Sequence, residues 1–139
     1  MKIERFEDID GWKKGRELTK VIYGYSRRPD FSKDYGLKDQ ITRASVSIMN
    51  NIAEGFDGGS DAEFIRFLRY AQRSSTEVKS CLYVAMDNEY INKSDFEFSY
   101  AIAGEIQRLI GGFIKYLKSK QDQAPRTRNS NERSEFGHP

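Results

Sequence analysis

YGLKDQITRASVSIMNNIAEGF, residues 35 to 56, carries an apolar pattern of helical period. Leu37, Ile41, Ala44, Ile48 and Ile52 recur at spacings of three and four, which puts them on one face of a helix. Val46, Met49 and Ala53 make a second apolar face beside it. A helix with two apolar faces packs on more than its own bundle, so the second face is the candidate contact with another subunit. The stretch carries amides in its middle and closes on a carboxylate followed by glycine. Gly55 is expected to end the helix, and Asn50, Asn51 and Glu54 are expected to make polar contacts with neighbouring helices or subunits. No general base or metal-ligand set accompanies these residues, which makes the stretch scaffold.

Working outward, the periodicity predicts three more helices. One spans about 10–27, with Trp12, Leu18, Ile22 and Tyr23 as its apolar positions and Gly15 among them. RRPDFSKDYG follows, read as a loop punctuated by Pro29 and Gly36. On the other side, GFDGGS reads as a loop by its glycines. Ser60-Asp61-Ala62-Glu63 is a capping box that opens a helix over about 60–89. Phe64, Phe67, Ala71, Ser75, Val78, Leu82 and Ala85 form its stripe. At 1.5 Å per residue it would be about 40 Å long, which suits a bundle. Ser94-Asp95-Phe96-Glu97 reads as a second capping box, starting a helix over about 94–119 with Phe96, Tyr100, Ala103, Ile106, Leu109, Ile110, Phe113 and Leu117 inward. Residues 30 to 124 contain no proline, so these long helices meet no proline breaker. The organisation expected is a helical domain over 1–120 and a disordered polar tail over 121–139.

Composition narrows the function classes. The chain has 139 residues, 37% hydrophobic and 32% charged, with a 13% aromatic share to fill a core. That balance suits long amphipathic helices that each bury one stripe. The formal net charge of +2 is too small to announce a nucleic-acid binder, so any such role must come from local clustering. Cys81 is the single cysteine, so no intrachain disulfide forms. No apolar run approaches the ~20 residues of a membrane helix. The acids of MKIERFEDID stand where a signal peptide has its apolar region. The expectation is a cytoplasmic protein with no membrane partner.

Catalytic chemistry finds no support in the residues. The single histidine, His138, is next to last in the expected tail, and Cys81 beside Leu82 has no partner base. A two-metal bundle site needs Glu-x-x-His pairs, and none exists among Glu54, Glu63, Glu77 and Glu105. DGGS lacks the phosphate-loop pattern. The chain is read as a non-enzyme without catalytic residues, metal site or cofactor.

Basic clustering remains. Lys13, Arg16 and Lys20 share one face of the first long helix, with Lys14 alongside. Arg66, Arg69 and Arg73 share a face of the third at spacings of three and four. Lys115, Lys118 and Lys120 end the fourth. Rows of this kind track phosphates, or they are solvated faces with acid partners one turn away, such as Glu17 near Lys13 and Lys20. Three rows in one small domain strengthen the first reading, and both stay open on the sequence alone.

FEDIDGWKKGRELTKVIYGYS, YGLKDQITRASVSIMNNIAEGF and SDAEFIRFLRYAQRSSTEVKSCLYVA together resemble the family named for the intervening sequences of bacterial 23S ribosomal RNA genes, also called the S23 family. The resemblance spans about residues 6 to 118. Its most specific piece is Tyr35 to Gly55, followed by S-x-x-E-F at 60 to 64. The accessory variability determinant of diversity-generating retroelements falls in the same group. The resemblance implies an all-α, up-down antiparallel four-helix bundle that assembles as a homopentamer, for which Val46, Met49 and Ala53 would supply an interface. The retroelement member partners a reverse transcriptase and binds nucleic acid through basic surface. The expectation carried over is binding of RNA or DNA through Lys13, Arg16, Lys20, Arg66, Arg69 and Arg73, as accessory subunit of a reverse transcriptase. The rival is a protein–protein scaffold with no nucleic-acid binding. Three departures stand out. Met49-Asn50 replaces a common Pro-Ser, Gly58-Gly59 replaces a segment with an arginine before the serine, and Gly15 replaces an alanine.

Overall fold

The register between neighbouring helices gives the topology. The computed structural model describes residues 2–122. A 3-10 turn at Phe6–Asp8 leads into α1 (Asp10–Ser26), α2 (Pro29–Lys33), α3 (Tyr35–Asp57), α4 (Asp61–Asp87) and α5 (Lys93–Asp122). Early α1 meets late α3 and the later half of α5: a Cβ on Gly11 would lie 3.5 Å from Ile52 and 3.3 Å from Ile110. Late α1 meets early α5, where the Tyr25 hydroxyl donates to the Asp95 carbonyl at 2.9 Å. Between α3 and α4 the Ser47 and Ser74 hydroxyls lie 2.8 Å apart. Between α4 and α5, Ser75 Oγ donates to the Ala103 carbonyl at 2.9 Å. Every neighbour therefore runs antiparallel. α1 packs on α3 and α5, and α4 packs on the same two, so α1 and α4 are diagonal. This is an up-down four-helix bundle with α2 as a short lid at one end.

The core follows the stripes. Leu18, Ile22, Ile41, Ile48, Ile52, Leu68, Val78, Leu82, Ile106 and Ile110 are buried. Full burial of each large aliphatic side chain contributes on the order of 1.5–3 kcal/mol. The buried polar groups are small hydroxyls that bond to carbonyls: Ser45 to Thr42 at 2.9 Å, Ser99 to Asp95 at 2.8 Å, and Thr42 to Lys38 at 2.7 Å. Each of these hydroxyls is satisfied on burial, and their small size lets the helices approach closely.

Several expectations need correction. RRPDFSKDYG is not all loop: Pro29 takes the first helical position of α2, where its missing N–H costs nothing. Burial of Phe31 and its stacking on Tyr90 at 5.1 Å hold that turn in place. Gly55 does not end α3, which runs on to Asp57. A Cβ there would lie 2.7 Å from Phe67 Cβ and 3.0 Å from Phe64 Cδ1, so Gly55 serves close approach to α4. Tyr23 is exposed and Tyr25 is buried instead, because Tyr25 sits three residues after Ile22 on the same face. The box at the start of α5 is set two residues earlier than expected. Asp95 N–H donates to Asn92 Oδ1 at 2.8 Å, and Asn92 N–H donates to Asp95 Oδ2 at 3.3 Å. At the start of α4 the Ser60 cap is in register, with Glu63 N–H donating to Ser60 Oγ at 3.1 Å, while the Glu63 carboxylate takes the Arg66 guanidinium. Of the α5 stripe, Phe96, Tyr100, Leu109 and Phe113 are half-buried, and Ile102 and Ile114 join the core. α5 reaches Asp122. The rest of the expected tail, His138 included, lies outside the described residues.

Candidate nucleic-acid interface

The α4 row is built by helical spacing. Arg66, Arg69 and Arg73 are all exposed on the side of α4 away from the core. Their surroundings differ. Arg66 forks onto Glu63, donates to the Tyr70 hydroxyl at 3.0 Å, and lies over the Phe67 ring at 5.1 Å. Those bonds, first to Glu63 and then to Tyr70, push its guanidinium pKa up. Arg73 lies over the Tyr70 ring at 5.8 Å. Neither Arg69 nor Arg73 has a carboxylate within salt-bridge distance among the described residues. Together with Gln72, Thr76 and Gln107 they line an open groove of about 390 Å³ between α4 and α5.

The groove floor is an amide network. Gln107 Nε2 donates to Thr76 Oγ1 at 2.8 Å, and Lys79 Nζ donates to Gln107 Oε1 at 2.7 Å. Gln72 Nε2 donates to the Gln107 carbonyl at 3.3 Å. Two further cations converge at one end. A Cβ on Gly104 would sit 3.6 Å from Arg108 Nη1 and 3.7 Å from Lys79 Nζ. Among the described residues no carboxylate pairs with either. Between Phe64 and Met86 the one acid of α4 is Glu77, which faces α3 and takes a bond from Gln40 at 3.5 Å. Between Phe98 and Gln121 the one acid of α5 is Glu105, which faces α1 and pairs with Lys14 at 3.6 Å. Lys79 and Arg108 were not legible as site residues. Their only sequence signal is the scarcity of acids along both helices, and which way the lone acids point depends on the packing.

The α1 row is separate. Lys13, Arg16 and Lys20 are exposed on the outer side of α1. Lys13 lies 3.9 Å from Asp10, while Arg16 and Lys20 have no ion pair among the described residues. Because α1 and α4 are diagonal, the two rows face away from each other within one chain. At the far end of α5, Lys120 lies 3.6 Å from Asp61.

Val46, Met49 and Ala53 are half-buried along α3. Met49 packs into the contact with α1, where a Cβ on Gly15 would lie 3.3 Å from its Cγ and the Thr19 hydroxyl lies 3.4 Å from its sulfur. Asn51 donates to Ser47 and bonds within α3, Asn50 is exposed, and Glu54 is exposed without an ion pair among the described residues. Cys81 is buried, and burial raises its thiol pKa, with Glu77 adding to the shift. Among the described residues no three His, Cys, Asp or Glu side chains come together as a metal site. No described helix is long and apolar enough to cross a membrane.

Comparison with known proteins agrees with this fold. Residues 7–112 match the family model of the 23S rRNA-intervening sequence protein. A crystal structure of a protein with unknown function from the S23 ribosomal protein family of Bacteroides thetaiotaomicron is similar at a TM-score of 0.69. It is 27% identical, and the match covers 76% of this chain and 98% of that one. Among curated proteins none matches. Neither the family nor the structural neighbour indicates an enzyme.

Proposed function

The chain belongs to the 23S rRNA-intervening sequence protein family, and from that premise we propose that it is a non-enzymatic, self-assembling bundle that binds nucleic acid through basic surface. One observation carries this reading: Arg69 and Arg73 line the α4–α5 groove, Lys79 bonds to its Gln107 and Arg108 lies beside Lys79, with no carboxylate paired to any of them among the described residues. Like charges left together in this way repel one another, and a phosphate backbone relieves that repulsion. The outer faces of α1 supply a second basic surface, which assembly would set beside other copies. A homopentamer is the assembly that the resemblance implies, and a reverse transcriptase is the partner class. Co-expression and co-purification with a reverse transcriptase tests that partnership.

The binding reading is tested by fluorescence anisotropy of labelled structured RNA and duplex DNA across a salt series. Binding that weakens steeply with salt supports it. Absence of binding at low salt favours the second reading, a protein–protein scaffold. That reading has its own observation: Arg66 and Lys13 already have acid partners in the chain, as solvated helix faces do.

A further inference from the structure

The α4–α5 groove does not end at its cations. Gln72, Thr76, Lys79 and Tyr83 follow one another along α4 at spacings of four, three and four, so they form one strip facing α5. Where the strip meets the beginning of α5, three aromatic rings cluster. Tyr83 lies 4.8 Å from Phe96 and 5.8 Å from Tyr100, and Phe96 lies 5.1 Å from Tyr100. Lys79 Nζ sits 4.7 Å over the Tyr100 ring and links the cluster to the amide floor. Phe96 and Tyr100 are half-buried, but Tyr83 keeps 49% of its surface exposed. Tyr83 thus offers an open ring surface beside the cations of the groove.

Duplexes hide their base faces within the stack, so an aromatic platform offers them little. Single strands expose those faces, and proteins that hold them combine a positive groove with aromatic rings on which bases stack. From Arg69 to Tyr83 the strip runs about 20 Å along α4, a length for roughly four nucleotides at the short end of such sites. The neutral Gln72, Thr76 and Gln107 side chains present donors and acceptors without adding charge.

Resting on the nucleic-acid reading above, we propose that the α4–α5 groove is a site for single-stranded nucleic acid, with Arg69, Arg73, Lys79 and Arg108 on the phosphates and Tyr83 as the stacking platform. The test uses the full chain with fluorescein-labelled single-stranded RNA and DNA 20-mers and the matching blunt duplexes. The wild type binds the single strands at least tenfold tighter than the duplexes. Arg73→Glu with Arg108→Glu lowers single-strand affinity more than tenfold, and Lys13→Glu with Arg16→Glu, on the second basic surface, lowers it less than the groove variant does. Tyr83→Leu lowers it about fivefold, whereas Tyr83→Phe, which keeps the ring, restores wild-type binding. The RNA and DNA arms show whether the 2′-hydroxyl adds to the affinity. Equal binding of duplex and single strand, or loss through the α1 variant in place of the α4–α5 variant, overturns the groove inference and leaves nucleic-acid binding standing. Binding of none of the four probes removes both.

Discussion

At the scale of single residues, glycines record where this bundle departs from simple amphipathic helices. Gly55 sits inside α3 because Phe64 and Phe67 of α4 occupy the space of its missing side chain. Gly55→Ala is expected to destabilise the fold by about 1–3 kcal/mol through overpacking, seen as a lower urea midpoint with an unchanged slope. Gly15 and Met49 are two departures from the family pattern that meet in space. A Cβ on Gly15 would lie 3.2 Å from Ile48 and 3.3 Å from Met49, so the longer Met49 side chain uses room that an alanine would take. The two sites should therefore couple. A cycle of Gly15→Ala, Met49→Ala and the double variant is expected to show an interaction of about 1 kcal/mol in urea unfolding, whereas strict additivity would separate them. Gly59, the third departure, has φ of +91°, a conformation that an arginine at that position would enter only under strain.

At the scale of elements, the start of α5 is tied to the end of α1 at one end of the bundle. Arg28 Nη1 donates to Asp95 Oδ2 at 2.7 Å, and this bond, more than the backbone N–H of Asn92, holds the Asp95 pKa below the usual carboxylate value. The folded pKa lies below the unfolded one, so the contribution is complete above about pH 4 and is lost as pH falls through the folded value. Wild-type urea midpoints should drop between pH 6 and pH 3 more steeply than those of Asp95→Asn, and parallel curves would contradict the assignment. The four long helices and most of their buried stripes were legible because a 3.6-residue period survives in any amphipathic helix. What escaped the sequence depends on contacts between elements. Pro29 and Gly36 read as loop punctuation, yet Phe31 earns α2 its helical turn by reaching the core. Gly55 read as a cap because its reason lies on α4.

At the scale of the whole molecule, diagonal placement of α1 and α4 divides the basic residues between two opposite surfaces. Arg69 and Arg73 were legible from their spacing, but their grouping with Lys79 and Arg108 required knowing that Glu77 turns to α3 and Glu105 to α1. Assembly is a property of the same scale. Val46 and Ala53 remain half-buried on α3 while Met49 is shared with α1. Light scattering of the wild type at micromolar concentration is expected to give an oligomer, and Val46→Asp with Ala53→Asp is expected to give a monomer. A monomeric wild type would contradict the interface.

Whether cations of this bundle hold phosphates is decided by the salt dependence of nucleic-acid binding in the wild type and in Arg69→Glu with Arg73→Glu. Log affinity against log salt should fall with a slope of several units for the wild type, and the slope should be shallower by about 1.4 in the variant on a single strand, as two phosphate contacts are lost. An unchanged slope, or no binding by the wild type at low salt, would contradict phosphate binding by these cations.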